Sequence, residues 1–341
     1  MSILLVACLV LVGVGYYLLR LISGVLTVPK PEVVERTGRG ELLVAVDGGD
    51  LRGLSIGPSS SFMAYVVTEE GKDQLAIREL SPGGREITRI PLEENGLFCW
   101  APRPDRLVYG GPKGFFVGEV SRDGRFQVLR DVPAGSERIG YLSCSPDGRW
   151  MAWADLSHDP PMYRWTSLTE DVGGSVPYGY GELTWFPGGE AFVRRGGPGD
   201  RSRRLYRVDP ITGREEAWME LEKEPLWLWV SREGRLFYLS DSKGWGYGNG
   251  LMVVSGTPGG REEKVLYIKE SHLGGESGFV AVGPSGDLVA YEGKRGLEIL
   301  DLEGERLYVF PEITGVREAV FHPSGRQLFF IDERGIWRLE L

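Results

Sequence analysis

From about residue 41 onward the chain alternates short apolar runs with turns rich in proline and glycine, and one unit recurs. It consists of an apolar stretch, a tight turn, and a second stretch full of aromatic and β-branched residues. The copies read IGPSSSFMAYVV from Ile56, WAPRPDRLVYGG from Trp100, CSPDGRWMAWAD from Cys144, WFPGGEAFVRRG from Trp185, VSREGRLFYLSD from Val230, VGPSGDLVAYEG from Val282 and FHPSGRQLFFID from Phe321. Runs this short, bounded by turn residues, predict strands rather than helices. The turn positions Pro58, Pro102, Pro146, Pro187, Arg232, Pro284 and Pro323 are spaced by 44, 44, 41, 45, 52 and 39 residues. A mean near 44 is the length of one four-stranded propeller blade. Arg232 stands where the other copies have proline.

A second turn follows most of these: SPGGRE from Ser81, SRDGRF from Ser121, DPITGRE from Asp209, TPGGREE from Thr257 and LEGER from Leu302, with TEDVGGS from Thr169 as the weaker equivalent. Two hairpin turns per repeat make four strands. Proline and glycine suit such turns because one φ must sit near −65° and another is often positive. After Pro323 only 18 residues remain, enough for strands over 326–331 and 335–341 and no more. Residues 41–46 (ELLVAV) are a strand without a blade of its own. Pairing the two leftover pieces would close a ring and remove an exposed edge. The expectation is an all-β, seven-bladed β-propeller over residues 41–341, or six blades if the repeat at Arg232 merges with a neighbour.

The strings CSPDGRWMAW, GPSGDLVAY and HPSGRQLFF resemble the repeats of TolB-like β-propellers, which are WD-like in architecture. The resemblance covers residues 41–341. Only the copy with Asp147 matches the Pro-Asp-Gly core in full, and no copy ends in Trp-Asp. What the resemblance implies is a periplasmic or extracytoplasmic binding module, or a propeller fused to a peptidase domain.

The N-terminal pattern is different. Residues 3–19 carry no charge, and after Arg20 residues 21–28 add eight more uncharged positions. A helix over 3–28 would reach about 39 Å, enough to cross a hydrocarbon core of about 30 Å. This predicts a single-pass transmembrane anchor at 1–28 with the lipid bilayer as its partner, a linker at 29–40, and the propeller beyond. No basic residue precedes the apolar run, which argues against a cleaved signal peptide. Cys8, in a run resembling a lipoprotein box, stands too early for lipidation. Arg20, Lys30, Arg36 and Arg39 follow the run, so the positive-inside rule favours a cytoplasmic propeller. The family resemblance favours the other side, and the side of the membrane stays open.

The net charge is −9, and since residues 1–40 sum to +2 the propeller carries −11. That argues against nucleic acid as a partner. Three cysteines and three histidines, scattered along the chain, offer no metal-ligand spacing, so no metal and no cofactor are expected. Cys99 and Cys144 occupy nearly equivalent strand positions and are expected to be separate buried thiols, with adjacent blades holding them too far apart to bridge. No stretch of about 200 residues is left over for a separate hydrolase domain, and no catalytic residue is assigned.

The long connections fall between second and third strands and between blades, on one rim. They cover residues 155–162, 173–182, 196–203, 241–250 and 269–278. Loops beyond the needs of folding are where function gathers. The candidate binding residues there are the aromatics Tyr178, Tyr180, Trp245 and Tyr247, with His272, and the arginines Arg194, Arg195, Arg201, Arg203 and Arg204 around GGPGD. The expected function is a non-catalytic, membrane-anchored scaffold for a protein or peptide partner. The alternatives are an envelope-polymer enzyme (lyase or glycoside hydrolase) or a small-ligand sensor using the central channel.

Overall fold

The computed structural model describes residues 32–46, 48–81, 83–93, 96–102, 105–121, 123–178, 183–196, 203–221, 224–234, 236–240, 250–254, 262–267, 279–302 and 306–341. Two strands come first, β1 (Glu32–Glu35) and β2 (Glu41–Ala45). Sheet 1 holds β3 (Asp50–Ile56), β4 (Phe62–Glu69), β5 (Lys72–Glu79) and β6 (Glu86–Pro91). Sheet 2 holds β7 (Leu97–Ala101), β8 (Arg106–Gly111), β9 (Gly114–Val120) and β10 (Phe126–Val132). Sheet 3 follows with β11 (Ile139–Cys144), β12 (Trp150–Asp155), β13 (Met162–Ser167) and β14 (Gly173–Pro177). Sheet 4 has β15 (Thr184–Trp185), β16 (Phe192–Arg195), β17 (Arg204–Val208) and β18 (Glu215–Glu220). Sheet 5 has β19 (Pro225–Val230), β20 (Leu236–Ser240), β21 (Gly250–Val254) and β22 (Glu262–Tyr267). Sheet 6 has β23 (Val280–Val282), β24 (Leu288–Gly293), β25 (Gly296–Asp301) and β26 (Arg306–Phe310). Sheet 7 combines β27 (Glu318–Phe321), β28 (Gln327–Asp332) and β29 (Gly335–Glu340) with β2 from the start of the chain.

Every sheet is an antiparallel meander, and β2 pairs antiparallel with β29, with Glu41 opposite Arg338 and Ala45 opposite Gly335. Residues 29–40, read from sequence as a linker, contain β1. It adds a fifth strand to sheet 6 in parallel with β26, with Glu32 opposite Arg306 and Glu35 opposite Val309. Its side chains hold it from both ends: Glu32 pairs with Arg306 at 3.5 Å, and the Arg36 guanidinium lies 5.3 Å from the Tyr308 ring centre. Among the described residues no helix is long and apolar enough to cross a membrane; the expected anchor at 1–28 lies outside the described residues.

The second strand of each sheet explains the architecture. WMAWAD in β12 is buried at all six positions, and the first six residues of β4 (FMAYVVTE) are buried too. A sheet with one wet face would alternate apolar and polar; a sheet packed on both faces reads as a continuous apolar run. Hydrophobic clusters accordingly lie at the seams between consecutive sheets. One joins Phe62, Ala64, Leu75 and Ile77 of sheet 1 to Trp100, Leu107 and Tyr109 of sheet 2. Another joins Phe329, Ile331 and Ile336 of sheet 7 to Leu51, Met63 and Tyr65 of sheet 1, and so closes the ring. Four-stranded meanders packed face to face in a closed circle are a β-propeller.

The first strands, innermost in the ring, follow one rule. The residue two positions before the turn proline packs back against the preceding sheet, as Trp100, Trp185 and Phe321 do. The residue three positions before it packs forward, as Trp229 and Val320 do. This rule corrects the reading of the cysteines. Cys99 is three before Pro102 and Cys144 is two before Pro146, so they face each other across one seam and form a disulfide with Cα atoms 5.8 Å apart. The error lay in treating them as equivalent: a one-residue offset on a period-two strand turns a side chain to the opposite face.

Candidate functional site

A cavity of about 1410 Å³ opens at the axis of the ring. All seven turn positions line it: Pro58, Pro102, Pro146, Pro187, Arg232, Pro284 and Pro323. Below them the wall is made by Ser55, Phe98, Cys99 and Trp100, then Ser143 and Cys144, with Ser59, Ser61, Asp105, Glu119 and Ser121 extending it between sheets 1 and 2. The cavity is therefore on the rim of the short turns, opposite the long loops singled out from sequence. The signal for it was present as Arg232, the one turn position without proline, which is exposed at the cavity mouth.

The wall is held by contacts between neighbouring turns. Gly148, at φ +71°, sits so close to the preceding turn that an added Cβ would lie 2.0 Å from the Pro102 carbonyl oxygen. Gly189, at φ +72°, presses in the same way on the Asp147 carboxylate. Ser145 Oγ donates to Asp147 Oδ1 at 2.6 Å and accepts from the Trp150 amide at 2.9 Å, which cross-braces its own turn. Between sheets 1 and 2 the Asp105 carboxylate accepts the Ser59 amide at 3.0 Å, and Trp100 Nε1 donates to the Ser55 carbonyl at 3.4 Å. The Arg232 amide donates to the Pro284 carbonyl at 2.8 Å, linking sheets 5 and 6. Glu119 lies 3.7 Å from Arg106. The disulfide pins sheets 2 and 3 at the same depth.

The residues proposed from sequence fall elsewhere. Tyr180, Arg201, Trp245, Tyr247 and His272 lie outside the described residues. Tyr178 is half-buried, with its ring 4.7 Å from that of Tyr163 and its amide donating to the Pro161 carbonyl at 2.8 Å. Arg194 and Arg195 belong to strand β16 rather than to a loop, and both are buried. Arg194 pairs with Glu215 at 2.6 Å and stacks 4.7 Å over the Tyr206 ring. Arg195 pairs with Glu224 at 2.7 Å and donates to the Pro225 carbonyl. Arg204 starts β17 and pairs with Glu220 at 3.2 Å, while Arg203 is exposed beside it. The basic character seen in sequence is thus balanced at Arg194, Arg195 and Arg204 by carboxylates on β18 and the segment that follows it. Residues 173–177, read as part of a loop, form β14.

On the long-loop rim the structure also reveals a buried carboxylate. Asp155, fully buried at the end of β12, accepts from Ser136 Oγ at 2.6 Å and from the Ser157 amide at 3.0 Å. Arg164 Nε stands 2.7 Å and His158 Nε2 3.1 Å from its other oxygen. Burial pushes the Asp155 carboxyl up, but the Ser136 and Ser157 hydrogen bonds and the Arg164 charge outweigh it and hold the group below the usual carboxylate range. This cluster ties the connection between sheets 2 and 3 to the turn after β12. Among the described residues no group of three or more His, Cys, Asp or Glu side chains is placed to hold a metal ion.

No protein-family model matches this sequence, and no curated protein matches it. Solved structures do. The chain is similar to the β-propeller domain of Cps50 (Swd1) from Myceliophteria thermophila, at 14% identity and a TM-score of 0.61 over 88% of this chain and 100% of that one. It is similar to an oligogalacturonate lyase solved in complex with manganese, at 13% identity and a TM-score of 0.61 over 84% of this chain and 87% of that one. TolB from Acinetobacter baumannii matches at 18% identity and a TM-score of 0.50, over 73% of this chain and 63% of that one. At these identities the likeness shows the fold alone: the chain is a β-propeller.

Proposed function

We propose that this protein is a seven-bladed β-propeller held at a membrane by residues 3–28, and that it acts as a non-catalytic binding module for a protein or peptide. The observation that carries the reading is the preformed axial cavity, whose wall is fixed by interlocked turns and a disulfide. A partner entering such a site loses little affinity to ordering the receptor. The wall suits an amphipathic guest, with Phe98 and Trp100 beside serine hydroxyls and charges at Asp105, Glu119 and Arg232.

The Cys99–Cys144 bridge also bears on which side of the membrane the propeller occupies. Disulfides persist in oxidising compartments and are rare in the cytosol. The bridge supports an extracytoplasmic propeller against the charges that flank the anchor. Peptide-library capture by the full chain in detergent tests the binding reading, with Trp100→Ala and Arg232→Glu as variants. Ligands whose capture is unaffected by both changes would remove the cavity from the proposal. Protease accessibility in intact cells tests the side.

A second reading has one observation in its favour. Asp105 and Glu119 both line the cavity, and carboxylates sharing a site are the mark of glycan-cleaving chemistry. Asp105 is already engaged by the Ser59 amide and Glu119 lies near Arg106, which favours structural roles for both. Loss of a polysaccharide-cleaving activity in both Asp105→Asn and Glu119→Gln, with binding retained, would establish the enzyme instead.

A further inference from the structure

The direction of β1 determines which rim the N-terminal segment leaves from. β1 runs parallel to β26, and Glu32 lies beside Arg306, the first residue of that strand. In an antiparallel meander the fourth strand begins at the turn after the third, and that turn shares a rim with the turn after the first strand. Glu32 therefore stands on the rim that carries the ring of turns and the cavity mouth. Only residues 29–31 separate it from the end of the apolar segment. Fully extended, that stretch spans about 14 Å at most, too short to carry the chain around the sheet to the other rim.

Exposed apolar side chains occur on this rim. Ile211 is 63% exposed in the turn before β18, and Val172 is 37% exposed in the turn before β14. Leu341, 42% exposed, follows β29, and Val33, 49% exposed, is next to Glu32. All four lie at or beside the same rim. Leu42, Phe116, Val128 and Leu129, also exposed, lie within strands, as Val33 does.

We infer that the short-turn rim, with the cavity mouth at its centre, faces a lipid bilayer, and that the long-loop rim points away from it. The inference rests on the reading of residues 3–28 as an anchor. It implies that a guest of the cavity must arrive along the membrane surface.

The test uses the full chain in phosphatidylcholine vesicles carrying a headgroup spin label. In a Cys8→Ala background, with the native disulfide kept oxidised, a fluorophore is placed at Ile211→Cys, at Arg232→Cys or at Lys113→Cys, the last an exposed side chain in the turn between β8 and β9 on the opposite rim. Flotation with the vesicles and quenching at residues 211 and 232, without quenching at 113, is the expected result. A protein that floats but is quenched equally at all three sites, or most at 113, overturns the rim assignment while leaving the anchor in place. A protein that does not float removes the anchor reading and the inference with it.

Discussion

Cys99 and Cys144 stand 45 residues apart in sequence and 5.8 Å apart at their Cα atoms, joined by a disulfide across the seam between sheets 2 and 3. Their facing arrangement follows from the offset of one residue relative to the turn prolines. Closing a loop of this length constrains the unfolded chain by about 4 kcal/mol in the chain-entropy view. Cys99→Ser, or reduction of the wild type, should lower the unfolding free energy by an amount of that order and move the denaturation midpoint down with it. Unfolding by urea with and without reductant measures it; an unchanged midpoint would show that the bridge contributes nothing.

The turn glycines separate two effects of a missing side chain. Gly234 and Gly148 have similar positive φ values, +80° and +71°, but an added Cβ meets nothing at Gly234 and the Pro102 carbonyl at Gly148. Gly234→Ala should cost only the left-handed backbone term, about 1 kcal/mol. Gly148→Ala adds a clash with backbone and should cost about 2–4 kcal/mol. Thermal unfolding of the two variants side by side tests the ranking.

Asp155 makes stability depend on acid. Its folded carboxyl is held below its ordinary value of 3.8, so the unfolded chain takes up the proton first as pH falls. The stabilisation is fully present above pH 4–5 and is lost as pH drops through the folded value. Asp155→Asn should cost about 2–3 kcal/mol at neutral pH, by leaving Arg164 without its buried partner. It should also flatten the stability profile on the acid side. Denaturant titrations between pH 3 and 7 would show both; a parallel downward shift without flattening would mean that the carboxyl does not titrate differently on folding.

The closing strand can be separated from the strap before it. A chain beginning at residue 41 keeps β2 on β29 and should unfold cooperatively near the wild-type midpoint. A chain beginning at residue 47 loses Leu43, Val44 and Val46 from the seam between sheets 7 and 1. Burial of such side chains is worth roughly 3 kcal/mol together, and β29 becomes a bare edge open to association. Light scattering and urea unfolding of the two chains should diverge accordingly.

Strand content, turn positions and the repeat were legible because each is local. Period-two apolar runs and Pro-Gly turns are set by the chain's own sterics, so WMAWAD declares itself a strand packed on both faces before any partner is known. The unmatched strand at 41–46 and the short last repeat were legible together, since each lacked what the other could supply. What faces what across a seam was not local. It depended on how consecutive sheets pack, which turned Cys99 forward and Cys144 back and brought them into one bridge. The same packing placed Arg194 and Arg195 inside sheet 4 against Glu215 and Glu224, where the sequence showed a basic loop. Ring closure then set the turn prolines and Arg232 around a cavity that no single repeat contains. A side chain's face along a strand follows from its position in the chain, but the neighbour it meets there depends on the packing of separate sheets, and only the tertiary structure decided that.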